Sequence, residues 1–530
     1  MNKPNRIANP LHFLNAAPVL LLWAIAAIVY IVSSILYFQI PINPDDAVFT
    51  YIAWVMSEGG TVYIDAADQN WPGQMLIHWL AVVLFGNSLW AYRGLEIIIL
   101  LPLCSWALYC FTDAVYDRFA AIFVALLFPI MYMLAGFWHS GQRDMIAGPI
   151  LIATCLIMYR RFLGATWRCL LLQGLLIGLA TMIRPTMLII GPLLFLLDVF
   201  FMSKHQRSLA RVFIDHCVVL MTILCFAALL MLYGHFTGSL GAWYEASILF
   251  ATQVYSQSIN AIDSLARVIP NLLNAWKLYL LVGVVGVFLL AKKNKVALCL
   301  IASILPAALI SLLVQGKALS YHMTVLYAPL SIVLAVALSF SFRVMLAKKT
   351  SSIALILAIV LFSVTALGVV KKSFDTFASP FNFLVGISDR DKHLVNYVAG
   401  NGVTVSQTVL AAEYIEQTTP QEATVLFWAR PMHVNIVSGR RSPLREASIA
   451  LLLEPTPNFS IYSLWYDRIE TIFKQSPPEI ILLVKDDTTG VYVGFDQQNP
   501  DKGFSNIVAQ NLRFYQKETT FGNVELFRRR

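Results

Sequence analysis

Apolar residues run in long blocks through the first 370 positions and break into short alternations after them. A helix needs about 20 apolar residues to cross a bilayer. Blocks of roughly that kind fall at 17–40, 93–115, 119–137, 145–161, 169–183, 186–202, 212–235, 275–291, 296–314, 323–341 and 351–370. They predict about eleven membrane spans. Basic residues gather in alternate connections. Lys3 and Arg6 precede the first block. Arg160, Arg161 and Arg168, then Lys204, Arg207 and Arg211, then Lys292, Lys293 and Lys295, and finally Arg343, Lys348 and Lys349 all fall on that same side. The positive-inside bias therefore places the N-terminus in the cytoplasm.

The opposite side receives a long loop at 41–92, a turn at 137–144, a loop at 236–274 and everything after residue 371. Within the first loop, Pro72 to Phe85 is apolar but short, which predicts a helix lying in the interface. A full span there would split the basic loops between the two sides. Beyond residue 371, Ser406 to Gln417 reads as an amphipathic helix and Ala423 to Trp428 as a strand. Tyr466 to Lys474 reads as a second helix and Glu479 to Val484 as a buried strand. The expected organisation is a polytopic α-helical membrane domain over 1–370 and a small α/β domain over 371–530, outside the cytoplasm.

Composition agrees. The chain is 58% hydrophobic and 13% charged, against roughly 25% charged in soluble proteins, with a mean hydropathy of +0.69. The net charge of +8 sits in the short loops, so it marks orientation and not a nucleic-acid partner. The first apolar block is too long for a signal-peptide core and no small-residue cleavage site follows closely, so it is read as a retained span. All seven cysteines lie in apolar segments, which gives no disulfide framework and no zinc site.

The stretch INPDDAVFTYIAW, from Ile42 to Trp54, leaves the first block with two adjacent carboxylates. Asn43, Asp45 or Asp46 can cap a helix running Ala47 to Glu58. Charged groups at membrane level are costly and tend to serve function. The outer face collects Asp45, Asp46, Asp65, Asp68, Arg93, Glu96, Arg143, Asp144, Arg184, Lys317 and His322. Each alone reads as a capping or snorkelling residue; together they describe one mixed acid–base site at the lipid–water boundary. His78 and His139 read as structural. Isolated histidines give no case for a structural metal, and a divalent cation held by the outer carboxylates is left open.

The ordered series of motifs resembles a known class. PDDAVFTYIA resembles the acidic motif in the first outer loop of polyprenyl-phosphate-sugar-dependent glycosyltransferases of the GT-C class. That class includes the protein O-mannosyltransferases, the aminoarabinose lipid A transferase and the lipopolysaccharide-core galacturonosyltransferases. Residues 68–96 resemble the family's proline-containing interfacial helix and the arginine opening the next span. SGQRDMIAGP matches its second acidic position, at Asp144. GLATMIRPT resembles its basic-residue–proline turn, and GKALSYHMTVLYAPL, 316–330, its Lys…Tyr-His…Pro segment. AAEYIEQTTPQEATVLFWARPMHVNIVSGRR and PPEIILLVKDD look like its outer C-terminal domain. Trp71-Pro72-Gly73 departs from the family's Lys-Pro-Pro and shifts phosphate binding toward Arg143, Arg184 or Lys317.

The resemblance implies transfer of a sugar from a polyprenyl-phosphate donor to an acceptor hydroxyl at the outer face of a bacterial inner membrane. Asp45 takes the family's first acidic position and the role of general base. Asp46 would assist or orient it, and Asp144 would bind acceptor or sugar hydroxyls. Arg143, Arg184, Lys317 and His322 would face the donor phosphate. Asp68, Arg93 and Tyr321 are further candidates. One base and a lipid-phosphate leaving group imply inversion. The implied partners are the lipid-linked sugar, membrane lipid, and a glycan, glycolipid or protein acceptor. A protein O-glycosyltransferase, a glycan polymerase or ligase, and a secondary transporter are the competing readings. Arg440, Arg441 and Arg445 read as solvated or phosphate-facing surface.

Overall fold

The computed structural model describes residues 11–530 apart from 165, 255–260, 316–318, 348–349, 430, 448–449, 454–458, 487–488 and 496–502. Each of the apolar blocks lies on a helix. Among the described residues, seven helices are long and apolar enough to cross a membrane: Val19–Phe38, Ala91–Val115, Arg143–Phe162, Leu209–Phe236, Lys295–Gln315, Ser320–Leu346 and Ser352–Leu384. The bent pair Leu265–Asn271 and Trp276–Lys293 makes an eighth if taken as one span. The blocks at 119–137, 169–183 and 186–202 form the shorter apolar helices Arg118–Met133, Arg168–Ile183 and Pro185–Phe201. The last block continues to Leu384, so position 370 lies inside one uninterrupted helix.

The 41–92 loop folds back onto these helix ends. Helices Pro44–Ser57 and Pro72–Phe85 pack together there. At Gly73 a Cβ would stand 2.7 Å from the Met182 backbone, so only glycine allows this approach, and Trp71 and Arg184 line the same cavity. Glu96 opens a π-helical turn in the Ala91–Val115 helix. Its carboxylate is fully buried among Arg93 at 2.6 Å, Tyr37 at 3.0 Å and Tyr132. Arg93 also donates to the carbonyls of Ile40 and Pro41, both at 3.2 Å. This side chain therefore ties down the start of the 41–92 loop.

The C-terminal region is a four-stranded mixed sheet: β1 Val425–Trp428, β2 Ile480–Val484, β3 Tyr515–Phe521 and β4 Val524–Arg529, in the order β1-β2-β4-β3. β1 and β2 are parallel, with Val425 opposite Ile480; β4 is antiparallel to both β2 and β3. Both faces are covered. Leu426, Trp428, Ile481 and Leu483 meet helix Ser460–Gln475, while Val425, Phe427, Ile480 and Leu482 meet helix Val405–Thr418. Two-sided burial explains why β1 and β2 read as continuous apolar runs.

This domain is fastened to the 41–92 loop. Ala67 N–H donates to Arg445 O at 2.6 Å and Ala447 N–H to Ala67 O at 2.9 Å. His433 Nε2 donates to Ile42 O at 2.9 Å, and Ser442 N–H to the Tyr51 hydroxyl at 2.9 Å. Arg445, Arg468, Glu446 and Glu245 form an ion network that also takes in the Trp465 indole. The arginine trio expected at the surface is thus largely engaged. Arg440 is buried and donates to the carbonyls of Glu416, Thr419 and Ser438, Arg441 pairs with Glu58 at 3.2 Å, and Arg445 belongs to the network.

Candidate active site

Two carboxylates leave the first span on helix Pro44–Ser57, and Asn43 caps it. The Asn43 Oδ1 accepts from Asp46 N–H at 2.9 Å, with Pro44 at the first helical position. The Asn43 amide then donates to Asp46 Oδ2 at 2.8 Å and to Ser140 O at 3.0 Å. The cap and the 137–142 turn are therefore one structure. Gly141 lies at φ +89°, and a Cβ there would stand 2.0 Å from Asp46 Oδ2.

Asp46 is 1% exposed, with His78 Nε2 3.8 Å from its Oδ1. Burial pushes its pKa well above the usual carboxylate range, against the pull of Arg93. Asp45 is half-buried, and its Oδ2 accepts from Gln142 Nε2 at 3.1 Å. The adjacent acids thus have different surroundings: Asp46 points into the protein, and Asp45 meets the turn at the site.

The cations come from Arg143, directly after the turn, and from Arg184, at the end of helix Arg168–Ile183. Arg143 and Arg184 line one cavity of about 340 Å³ together with Gln69, Asn70, Trp71 and Gln315. Arg184 is 2% exposed, pairs with the fully buried Asp144 at 2.9 Å and donates to Gln315 Oε1 at 2.6 Å. Asp68, on the 41–92 loop, accepts from Asn70 N–H at 3.0 Å and lies within the field of both Arg143 and Asp45. Burial raises its pKa, while the Asn70 bond and Arg143 oppose the rise. Trp71 is also a wall of a second cavity of about 330 Å³, lined by apolar side chains including Met75, Leu230 and Trp243. An apolar chamber therefore adjoins a chamber holding two guanidinium groups.

Asp45, Asp46, Asp68, Arg143, Asp144 and Arg184 are linked through the 41–92 loop and this turn. His322 is fully buried in the 3-10 turn Ser320–Leu326, with half-buried Tyr321 edge-on to it at 4.6 Å. That turn packs on the Arg143–Phe162 helix, where Gly148 lies under Val325. Lys317 lies outside the described residues. Arg93, a further candidate by sequence, is instead buried with Glu96 beneath the loop. His139 meets Ser320 Oγ at 3.1 Å. Among the described residues, no three His, Cys, Asp or Glu side chains gather as a metal-binding group. Gln142 and Gln315 are polar members that the sequence alone does not single out, whereas Asn43 is the cap expected there.

A family model described as dolichyl-phosphate-mannose-protein mannosyltransferase matches residues 70–232. The structure is similar to that of ArnT from Cupriavidus metallidurans in the apo state, with a TM-score of 0.61 and 13% identity over 97% of this chain and 98% of that one. The fold is that of the GT-C glycosyltransferases. The same ArnT bound to undecaprenyl phosphate gives a TM-score of 0.58 at 14% identity, covering 96% of this chain and 98% of that one. The apo oligosaccharyltransferase of Archaeoglobus fulgidus gives 0.50 at 13% identity, covering 88% and 70%. No curated protein matches by sequence. The GT-C match to ArnT spans nearly the whole of both chains, so it takes in the C-terminal sheet as well as the helices.

Proposed function

We propose that this chain transfers a sugar from a polyprenyl-phosphate donor to an acceptor hydroxyl at the outer face of a bacterial inner membrane, with inversion. The acceptor is an envelope glycan or glycolipid. The observation that carries this reading is the pair of adjoining cavities that share Trp71. One is apolar and suits an isoprenoid tail; the other holds Arg143 and Arg184 and suits a phosphodiester. ArnT, whose fold this chain shares, has been solved with undecaprenyl phosphate.

In this scheme Asp45 takes the proton from the acceptor hydroxyl as that oxygen bonds to the anomeric carbon. The bond from that carbon to the phosphate oxygen breaks, and its electron pair stays on the phosphate. Arg143 and Arg184 stabilise the charge that grows there. Asp144 has no exposed surface to offer a hydroxyl, so we assign it to holding Arg184 in place. Asp46 fixes the turn instead of sharing the proton. Mass spectrometry of envelope lipids and glycans tests the reading. A deletion strain should accumulate one polyprenyl-phosphate sugar while one acceptor loses that sugar. Wild type should reverse both and Asp45→Asn neither. Unchanged profiles in the deletion strain, or full restoration by Asp45→Asn, would overturn it.

A further inference from the structure

We infer that Gln142 is a positioning residue for the reaction: its side-chain amide holds the Asp45 carboxylate in the orientation from which it receives the acceptor's proton. The inference rests on the transfer proposed above, with Asp45 as base. Gln142 is 4% exposed, yet it comes from a turn 97 residues away in sequence. Its Nε2 donates to Asp45 Oδ2 at 3.1 Å and makes a longer contact to its own turn, Trp138 O at 3.4 Å. The amide is thereby aimed from the turn that carries it.

That turn is itself fixed on several sides. Ser140 O accepts from Asn43, Gly141 N–H donates to the Tyr132 hydroxyl at 3.1 Å, and Gly141 O accepts from the Tyr92 hydroxyl at 3.3 Å. Tyr132 in turn donates to the buried Glu96. The space a side chain at 141 would need is filled by Asp46. The acidic helix and the turn are therefore locked at two points, Asn43 to Ser140 and Asp45 to Gln142. The second point is the only one of these contacts that ends on the proposed base.

The residue type matters. An arginine or lysine at 142 would form an ion pair with Asp45 and weaken it as a base, while a carboxylate would repel it. A neutral amide orients the oxygen without adding charge. The charged groups whose fields reach Asp45 include Asp46 on its own helix and Asp68 from the outer loop, with Arg143 acting on Asp68. A new carboxylate at 142 would add to the two acids.

The test uses the purified full-length chain with undecaprenyl-phosphate-linked mannose, glucose, galacturonate and aminoarabinose as donors and an envelope glycolipid extract as acceptor. Gln142→Met keeps the volume and removes the donor. It should lower kcat by about tenfold to a hundredfold with little change in donor KM. Gln142→Glu should move the acid limb of the kcat/KM profile to higher pH. Should either variant fail to fold, Gln142→Asn, one methylene too short to reach, carries the same kcat test. Wild-type kcat and an unshifted pH profile in the variants would overturn the positioning role while leaving the transfer intact. No transfer by wild type from any of the four donors would overturn the underlying reading, and this inference with it.

Discussion

At the residue scale, the two adjacent acids divide their work by burial. Asp45→Asn keeps the shape of the site but removes the proposed proton acceptor, and transfer should fall by about 10²–10⁴-fold, as measured by product formation at saturating donor. Gly141 offers the complementary test. Gly141→Ala forces a Cβ onto Asp46 Oδ2 at a φ of +89° that alanine rarely adopts. The strain alone costs about 1–3 kcal/mol, so the thermal midpoint should drop and activity should fall with it. The Asp-Asp pair was legible in the sequence because acids directly after a span are conspicuous. Gln142 was not, because a polar side chain in a turn looks like any other until the fold shows what it meets. The Asp144–Arg184 pair joins the first turn of one helix to the extended residue that ends another, and no short-range pattern announces it.

At the element scale, the apolar blocks located every long helix of the membrane part, and the runs at 423–428 and 479–484 located β1 and β2. The β3–β4 hairpin was missed. β3 is an edge strand with mostly exposed side chains, so YQKETTF carries no apolar signature. Of the arginines expected at the surface near 440, Arg441 is exposed and pairs with Glu58, whereas Arg440 is buried against carbonyls of its own domain and Arg445 sits in the ion network; those partners are distant in sequence, so no local pattern announces them. Two predictions belong to the contacts that fasten the C-terminal domain. Glu245→Gln leaves Arg445 and Arg468 with one carboxylate, Glu446, and should cost about 1–3 kcal/mol. Faster limited proteolysis of the C-terminal domain would register it. The second concerns His433, which burial holds at a pKa of about 4 against an ordinary 6.5. The fold favours its neutral form. Its contribution is therefore complete above about pH 6.5 and is lost as pH falls toward about 4, roughly 3 kcal/mol in total. Unfolding midpoints of the detergent-solubilised protein should decline over that window, and His433→Gln should flatten the decline.

At the scale of the whole molecule, the 41–92 loop lies between the membrane helices and the C-terminal sheet and contributes to both cavities. Met56, Trp71 and Met75 of that loop line the apolar chamber, while Gln69, Asn70 and Trp71 line the charged one. Occupation of the chambers by a lipid phosphate should therefore stabilise the assembly as a unit. Undecaprenyl phosphate in mixed micelles should raise the thermal midpoint of wild type. Arg143→Gln should abolish the rise while leaving the midpoint of the unliganded protein near wild type. A fatty alcohol of similar length should give little shift, because the charged chamber would stay empty.

The most direct measurement is the configuration of the transferred sugar. Purified wild type would be incubated with a polyprenyl-phosphate-linked sugar, carbon-13 labelled at its anomeric position, and an envelope glycolipid acceptor. The product would be read by NMR, with released polyprenyl phosphate quantified alongside. Single displacement at a site with Asp45 as base predicts one polyprenyl phosphate per sugar transferred, inverted anomeric configuration, and loss of both signals in Asp45→Asn. Retained configuration, or transfer that persists undiminished in Asp45→Asn, would contradict it.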